Sequence, residues 1–238
     1  GHVTGVQTCA LPIFDNVLKA RSVLREALTM RGTDERALYL LATAERLTHD
    51  YDAAEATARK LVAQNGKNPR GFYVLSEVLE QKQRYQAVVD LLRPAIDHFR
   101  SGQGASFALG MLLPHLGFAY QQMGRFDQAI ATFEEAQKIA PQDSTVAGFL
   151  IQANLSAKKY PQAIELARAA RKAHPDELRF ARMESQALRE SGKVDQGLAI
   201  LEEIARANGD DADVHLMLAR AYVDANRGAQ AVRVLQEA

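Results

Sequence analysis

The chain has no tryptophan, a single cysteine (Cys9), and only 7% aromatic residues. One cysteine closes no disulfide within the chain, so a small disulfide-stapled fold is excluded. Lysine plus arginine equals aspartate plus glutamate at 29 each, and the formal net charge is zero. A nucleic-acid surface usually brings a basic excess, and overall there is none, although a local basic stripe stays open. No apolar run reaches the roughly 20 residues that a membrane span needs. Strand-forming runs are scarce. What is abundant is Ala, Leu, Gln, Glu and Arg, the composition of an all-helical protein. At 238 residues, length alone would suggest one or two compact domains.

The first residues stand apart. Residues Val3 to Ile13 read Val-Thr-Gly-Val-Gln-Thr-Cys-Ala-Leu-Pro-Ile. That string matches one reading frame of a common DNA sequencing-library adapter, so residues 1–13 are expected to be artefactual and outside the fold. Cys9 then says nothing about redox compartment, and a cysteine-free remainder fits cytoplasm and periplasm equally. The intact protein is expected to be longer at both ends.

A period emerges when an aromatic, a polar pair and a small residue are followed along the chain. Tyr51-Asp52-Ala53-Ala54, Tyr85-Gln86-Ala87-Val88, Phe126-Asp127-Gln128-Ala129 and Tyr160-Pro161-Gln162-Ala163 are the clear copies. Val194-Asp195-Gln196-Gly197 and Gly228-Ala229-Gln230-Ala231 are degraded ones, and the steps between first members are 34, 41, 34, 34 and 34. At position 20 of this unit stand Ala20, Ala54, Val88, Ala129, Ala163, Gly197 and Ala231. Position 24 holds Leu24, Ala58, Leu92, Phe133, Ala167, Leu201 and Leu235, and position 27 is mostly alanine. Offsets of four and seven put these columns on one helical face. The first half of each unit has its own stripe at positions 4, 7 and 8, with Leu41, Leu75, Leu116, Leu150, Glu184 and Leu218 at position 7. Each unit is therefore two amphipathic helices joined by a tight turn.

Stop and start signals agree. Gly124 and Gly192 fall where a first helix ends, Pro141 and Pro175 where a second helix ends, and Asn68-Pro69, Asp143-Ser144 and Asp210-Asp211 where the next begins. Two departures are visible. The 41-residue step inserts seven residues around Ser101-Gly102-Gln103-Gly104, which lengthens either helices or the joining loop. Glu184 stands where a leucine belongs, and since a buried carboxylate is costly it is expected to tilt to the surface.

The unit from Gly110 to Asp143 reads Leu113-x-x-Leu116-Gly117-x-x-Tyr120, then Ala129-x-x-x-Phe133, Ala136 and Pro141. This resembles the tetratricopeptide repeat, with leucine where a tryptophan is usual at position 4. The resemblance covers residues 14–238 and divides them into a lone second helix at 14–31, then repeats near 35–68, 69–109 (with the insertion), 110–143, 144–177, 178–211 and a truncated 212–238. It fits better than the pentatricopeptide repeats, which read RNA. It implies an all-α, right-handed superhelical solenoid of antiparallel helix pairs.

No catalytic constellation is legible. The six histidines lack metal-ligand spacing, Gly66-Lys67 lacks the rest of a phosphate loop, and the acidic stretch 208–213 lacks the twelfth-position glutamate of a calcium loop. No enzyme, metal or cofactor is expected. The resemblance implies instead a concave face lined by positions 2, 5, 9 and 12 of the first helices. Those positions supply Arg36, Tyr39, Arg46, Arg70, Tyr73, Phe118, Gln152, Arg179, Arg182, Gln186, Arg189 and Arg220 as candidate contacts, and also Gly148 and Leu155. Tyrosine and arginine are enriched at binding hot spots. The carboxylate clamp of chaperone-tail-binding repeats, Lys at position 5 and Asn at 9, is absent.

The leading expectation is a non-catalytic scaffold or adaptor binding a protein or peptide, with acidic groups near the arginines, and no nucleic acid. Two alternatives are the regulatory or substrate-recruiting arm of a larger enzyme, and a bacterial envelope-assembly or secretion-associated protein. Self-association through open ends is a further one. The columns themselves are testable by thermal or denaturant melts. Leu116→Ala should destabilise by roughly 2–5 kcal/mol, and Ala129→Leu, at a close helix approach, by about 1–3 kcal/mol.

Overall fold

A computed structural model describes residues 5–31, 34–209 and 211–237, with side chains described for 15–30, 34–209 and 211–236. Among the described residues there are thirteen α-helices and no strand. They are α1 (Gly5–Arg31), α2 (Glu35–Leu47), α3 (Tyr51–Gln64), α4 (Pro69–Gln81), α5 (Tyr85–Phe99), α6 (Ala105–Gln122), α7 (Phe126–Ile139), α8 (Ser144–Ser156), α9 (Tyr160–Ala173), α10 (Leu178–Glu190), α11 (Val194–Ala207), α12 (Ala212–Asp224) and α13 (Gly228–Glu237). Helix α1 starts at Gly5, within the adapter-like string. The side chains of that string, and with them the expectation for residues 1–13, lie outside the described residues.

The chain divides into two compact bodies, residues 1–125 and 126–238. Inside each body every packed helix touches its neighbours in sequence order, and three first-helix pairs also touch: α2 with α4, α4 with α6, and α8 with α10. Among the described residues no helix pair inside a body packs across a longer sequence distance, as a stack of hairpins requires.

The predicted columns are the core. Ala54, Ala129 and Ala163 at position 20, and Ala58, Leu92, Phe133 and Ala167 at position 24, have no exposed surface. Leu41, Leu75, Leu116, Leu150 and Leu218 at position 7 are all buried. At the two end helices the columns hold only in part: Ala20 and Ala27 in α1 and Leu235 in α13 are exposed, while Ala231 in α13 is buried. The insertion is helical rather than loop. α6 has 18 residues against 13 in the other first helices, and Ala108 and Leu109 in its added turns are buried.

Helix ends follow the cap signals. Asp34, Asn68, Asp143 and Asp211 each accept a hydrogen bond from the first backbone N–H groups of the following helix, as N-caps do. The turn after every first helix has one geometry. The N–H of position 16 donates to the carbonyl of position 11, as in Asp50 to Glu45 (2.9 Å), Lys159 to Asn154 (2.8 Å) and Lys193 to Leu188 (2.9 Å). The N–H of position 15 donates to position 12, as in Lys158 to Leu155 (2.9 Å) and Gly192 to Arg189 (3.1 Å). These paired bonds form a Schellman motif, which needs a left-handed residue at position 15. Glycine fills it at Gly124 (φ 71°) and Gly192 (φ 89°). His49, Gln83, Lys158 and Asn226 adopt the same conformation with φ between 55° and 60°.

Glu184 overturns the expectation drawn for it. It stays in the helix interface with 3% exposure, because Arg168 Nε (3.0 Å) and Arg171 Nη1 (3.4 Å) reach it from α9. Pairing removes the reason for it to leave the core. Glu45 is treated alike: at 2% exposure it accepts hydrogen bonds from Arg25 (2.8 Å) and from the Thr57 hydroxyl (2.7 Å). Glu55 binds Lys82 (2.7 Å), Arg84 (3.0 Å) and Arg59 (2.7 Å), tying α3 to the turn that follows α4. Burial pushes its carboxyl up, but hydrogen bonds from Lys82 and Arg59 and the charges of Lys82 and Arg84 outweigh that and hold it down at about 2.

Two outcomes follow from the turns and from Glu55. A non-glycine residue in the left-handed region carries about 1–2 kcal/mol of strain, partly offset by glycine's greater unfolded-state freedom. Lys158→Gly should therefore raise stability by up to about 1 kcal/mol, and Gly192→Ala should lower it by about 1 kcal/mol, in denaturant melts. A carboxylate with a depressed folded-state pKa stabilises above its unfolded value and loses that contribution as pH falls. The melting-temperature gap between wild type and Glu55→Gln should be full above about pH 5 and close as pH drops from 4.5 toward 2.

Candidate functional site

In the first body the first helices α2, α4 and α6 bring Tyr39, Arg46, Tyr73, Glu77, Glu80 and His115 onto one face. Most of these groups satisfy one another. Arg46 Nε stands 3.3 Å from Glu77 Oε2, and the Tyr73 hydroxyl donates to Glu77 Oε1 at 3.1 Å. His115 Nδ1 and Glu80 Oε1 are 2.8 Å apart, and the His115 ring meets the Tyr73 ring edge-on at 5.0 Å. Burial, then the Glu77 carboxylate, push the Tyr73 hydroxyl up to about 12, so it remains a donor. Three successive first helices are thus linked by polar contacts. Phe118 is half-buried with its ring edge-on to Tyr85 at 6.1 Å, while Arg36 and Arg70 are exposed.

In the second body the register holds in part. Gly148 and Leu155, at inner-face positions of α8, are both buried. Leu155 packs into the core of its own hairpin. Over Gly148 lies the Arg179 guanidinium, 3.5 Å from where a Cβ would stand. Arg179 is fully engaged nearby: its Nε donates to Glu177 (2.8 Å), its Nη2 donates to the Ser144 hydroxyl (2.9 Å), and it covers the Phe180 ring at 4.8 Å. Gln152 is half-buried.

Arg182, Gln186, Arg189 and Arg220 do converge. They line a cleft of about 790 Å³ between α10 and α12. Within each body the other neighbouring first helices, α2 with α4, α4 with α6 and α8 with α10, pack against each other; among the described residues α10 and α12 do not, and the space between them is the cleft. Its apolar lining includes Val194, Leu201, Leu216 and Met217, with Ala221 and Ala225. Leu216 is 40% exposed, while Val214, Leu218, Ala219, Ala221 and Tyr222 of the same helix are buried. Gln186 donates to Glu190 at 2.8 Å, and Arg189 Nη1 reaches Asp224 at 3.5 Å. Arg182 and Arg220 are exposed and make no hydrogen bond or ion pair with the described residues. Leu216 and Met217 were not among the sequence candidates. Their signal was available, since Leu216 is position 5 of the last repeat.

Among the described residues no three His, Cys, Asp or Glu side chains gather in a metal-holding group. Among them, too, no helix is long and apolar enough to cross a membrane.

The comparisons agree with this architecture. One family profile described as "Tetratricopeptide repeat" matches residues 120–187 and 188–238, and a second with the same description matches residues 15–69 and 39–93. The chain belongs to the tetratricopeptide-repeat family, an all-α helical solenoid class whose members serve as protein-interaction scaffolds. No curated protein matches it. Similar solved structures include the C-terminal part of a TPR repeat-containing protein from Cytophaga hutchinsonii, with TM-score 0.71 and 17% identity over 96% of this chain and 93% of that one. Pseudomonas aeruginosa pilF gives TM-score 0.65 and 18% identity over 84% and 88%. YrrB, titled a TPR protein with an unusual peptide-binding site, gives TM-score 0.61 and 14% identity over 83% and 96%. At these identities the likeness is one of fold.

Proposed function

We propose that this chain is a non-catalytic scaffold that holds a peptide or protein segment against the faces of its first helices, and that the cleft between α10 and α12 is the main seat. The observation that carries this reading is the gap itself: two neighbouring first helices stand apart and leave Leu216 uncovered beside Arg182 and Arg220, which have no partner among the described residues. A concave seat with an apolar floor and a few polar groups is the usual form of a binding site. The inner face of the first body is a weaker candidate, because its Arg46, Tyr73, Glu77, Glu80 and His115 already bond among themselves.

Selection of phage-displayed random dodecamers on the intact chain tests the seat. Selected peptides should lose at least about tenfold in affinity on Leu216→Arg while the melting curve is unchanged. Leu216 is exposed enough to be replaced without disturbing the core. Failure to enrich any peptide, or equal binding to Leu216→Arg, would remove the cleft from the proposal.

A further inference from the structure

The balance of charge inside the cleft says more about the occupant. Five charged side chains besides Arg189 line it: Arg182, Arg220, Glu190, Asp213 and Asp224. Asp224 is answered by Arg189 at 3.5 Å, and Glu190 accepts a hydrogen bond from Gln186 at 2.8 Å. Asp213 sits in the first turn of α12, where the helix N-terminus favours a negative charge. Arg182, on the α10 wall, and Arg220, on the α12 wall, are the two cleft cations without a carboxylate partner among the described residues, and the exposed Leu216 lies one helical turn before Arg220.

We infer, resting on the cleft reading above, that the occupant is an extended peptide in which an apolar side chain is flanked on both sides by carboxylate side chains. The apolar residue covers Leu216 and Met217. One carboxylate meets Arg182 and the other Arg220. Guanidinium is suited to this, since its planar fork takes a carboxylate by two parallel hydrogen bonds. In an extended chain residues two apart point the same way, about 7 Å from each other, so acid-x-apolar-x-acid presents all three groups to one face. Exposed ion pairs add little raw affinity but select strongly between signs of charge. The apolar anchor therefore holds the peptide and the arginines choose it. Asp213 sets the limit of the motif, because an acidic run extended over it would meet a like charge.

The test is a series of acetylated, amidated nonapeptides with leucine at the centre and Glu, Gln or Lys placed two residues before and two after it. Blocked ends keep terminal carboxylates out of the comparison. Binding to the intact chain is followed by fluorescence polarisation. The Glu/Glu peptide should bind about tenfold or more tightly than Gln/Gln, Lys/Lys should bind least, and the Glu/Glu advantage should shrink as salt is raised. Arg182→Glu should turn the preference to Lys on one side of the leucine, and Arg220→Glu on the other. Equal binding of the Glu/Glu and Gln/Gln peptides, or a preference that neither reversal changes, overturns the inference. So does a series that fails to bind while library-selected peptides of other composition do. In each of those cases peptides sensitive to Leu216→Arg would leave the cleft reading standing, and loss of all such peptides would remove both.

Discussion

The closeness of helix crossings governs what the stack can be. At Gly197 a single added methyl would stand 2.6 Å from the Ser185 carbonyl oxygen and 2.6 Å from Arg189 Cγ. Real carbon atoms do not approach so closely, so α10 and α11 touch only because that position is bare. The same column holds Ala54, Ala129 and Ala163 without any exposed surface. Small residues let the helices approach, and leucines and phenylalanines in the adjoining columns fill the remaining space. Packing at this density leaves little room for adjustment. The position of each inner-face side chain thus depends on small residues of the second helix packed behind its own.

That dependence explains why the fold was legible and the site only partly so. The 34-residue register, read from four aromatic starts and an alanine column, located the helix pairs, their caps and their core. Glu184 was misjudged because sequence shows a misplaced carboxylate but not the two arginines one helix earlier that neutralise it. The insertion was ambiguous because seven residues fit helix or loop, and burial of Ala108 and Leu109 against the rest of the body decides for helix.

For the inner face, the register gave directions but not occupancies. Arg179 and Arg182 look equivalent in sequence, one turn apart on one helix. The first is consumed by Ser144, Glu177 and Phe180, while the second is left in an open cleft. Whether two first helices touch or part depends on interlocking side chains from several elements, and no single column records it. A neutral chain can likewise carry two cations that face a cleft with no carboxylate bonded to them among the described residues, which a net charge of zero conceals.

The left-handed residue at position 15 has one more consequence. Four of the turns that follow first helices keep this geometry with a side chain in place, so the backbone bonds and the packing of the two helices impose the bend rather than the residue at its apex. Each such turn holds a small local strain at the edge of the stack, away from the inner faces of the first helices. Rigidity can therefore be adjusted hairpin by hairpin at the edge, and ligand choice can be altered on the inner face, by changes that do not interfere with each other.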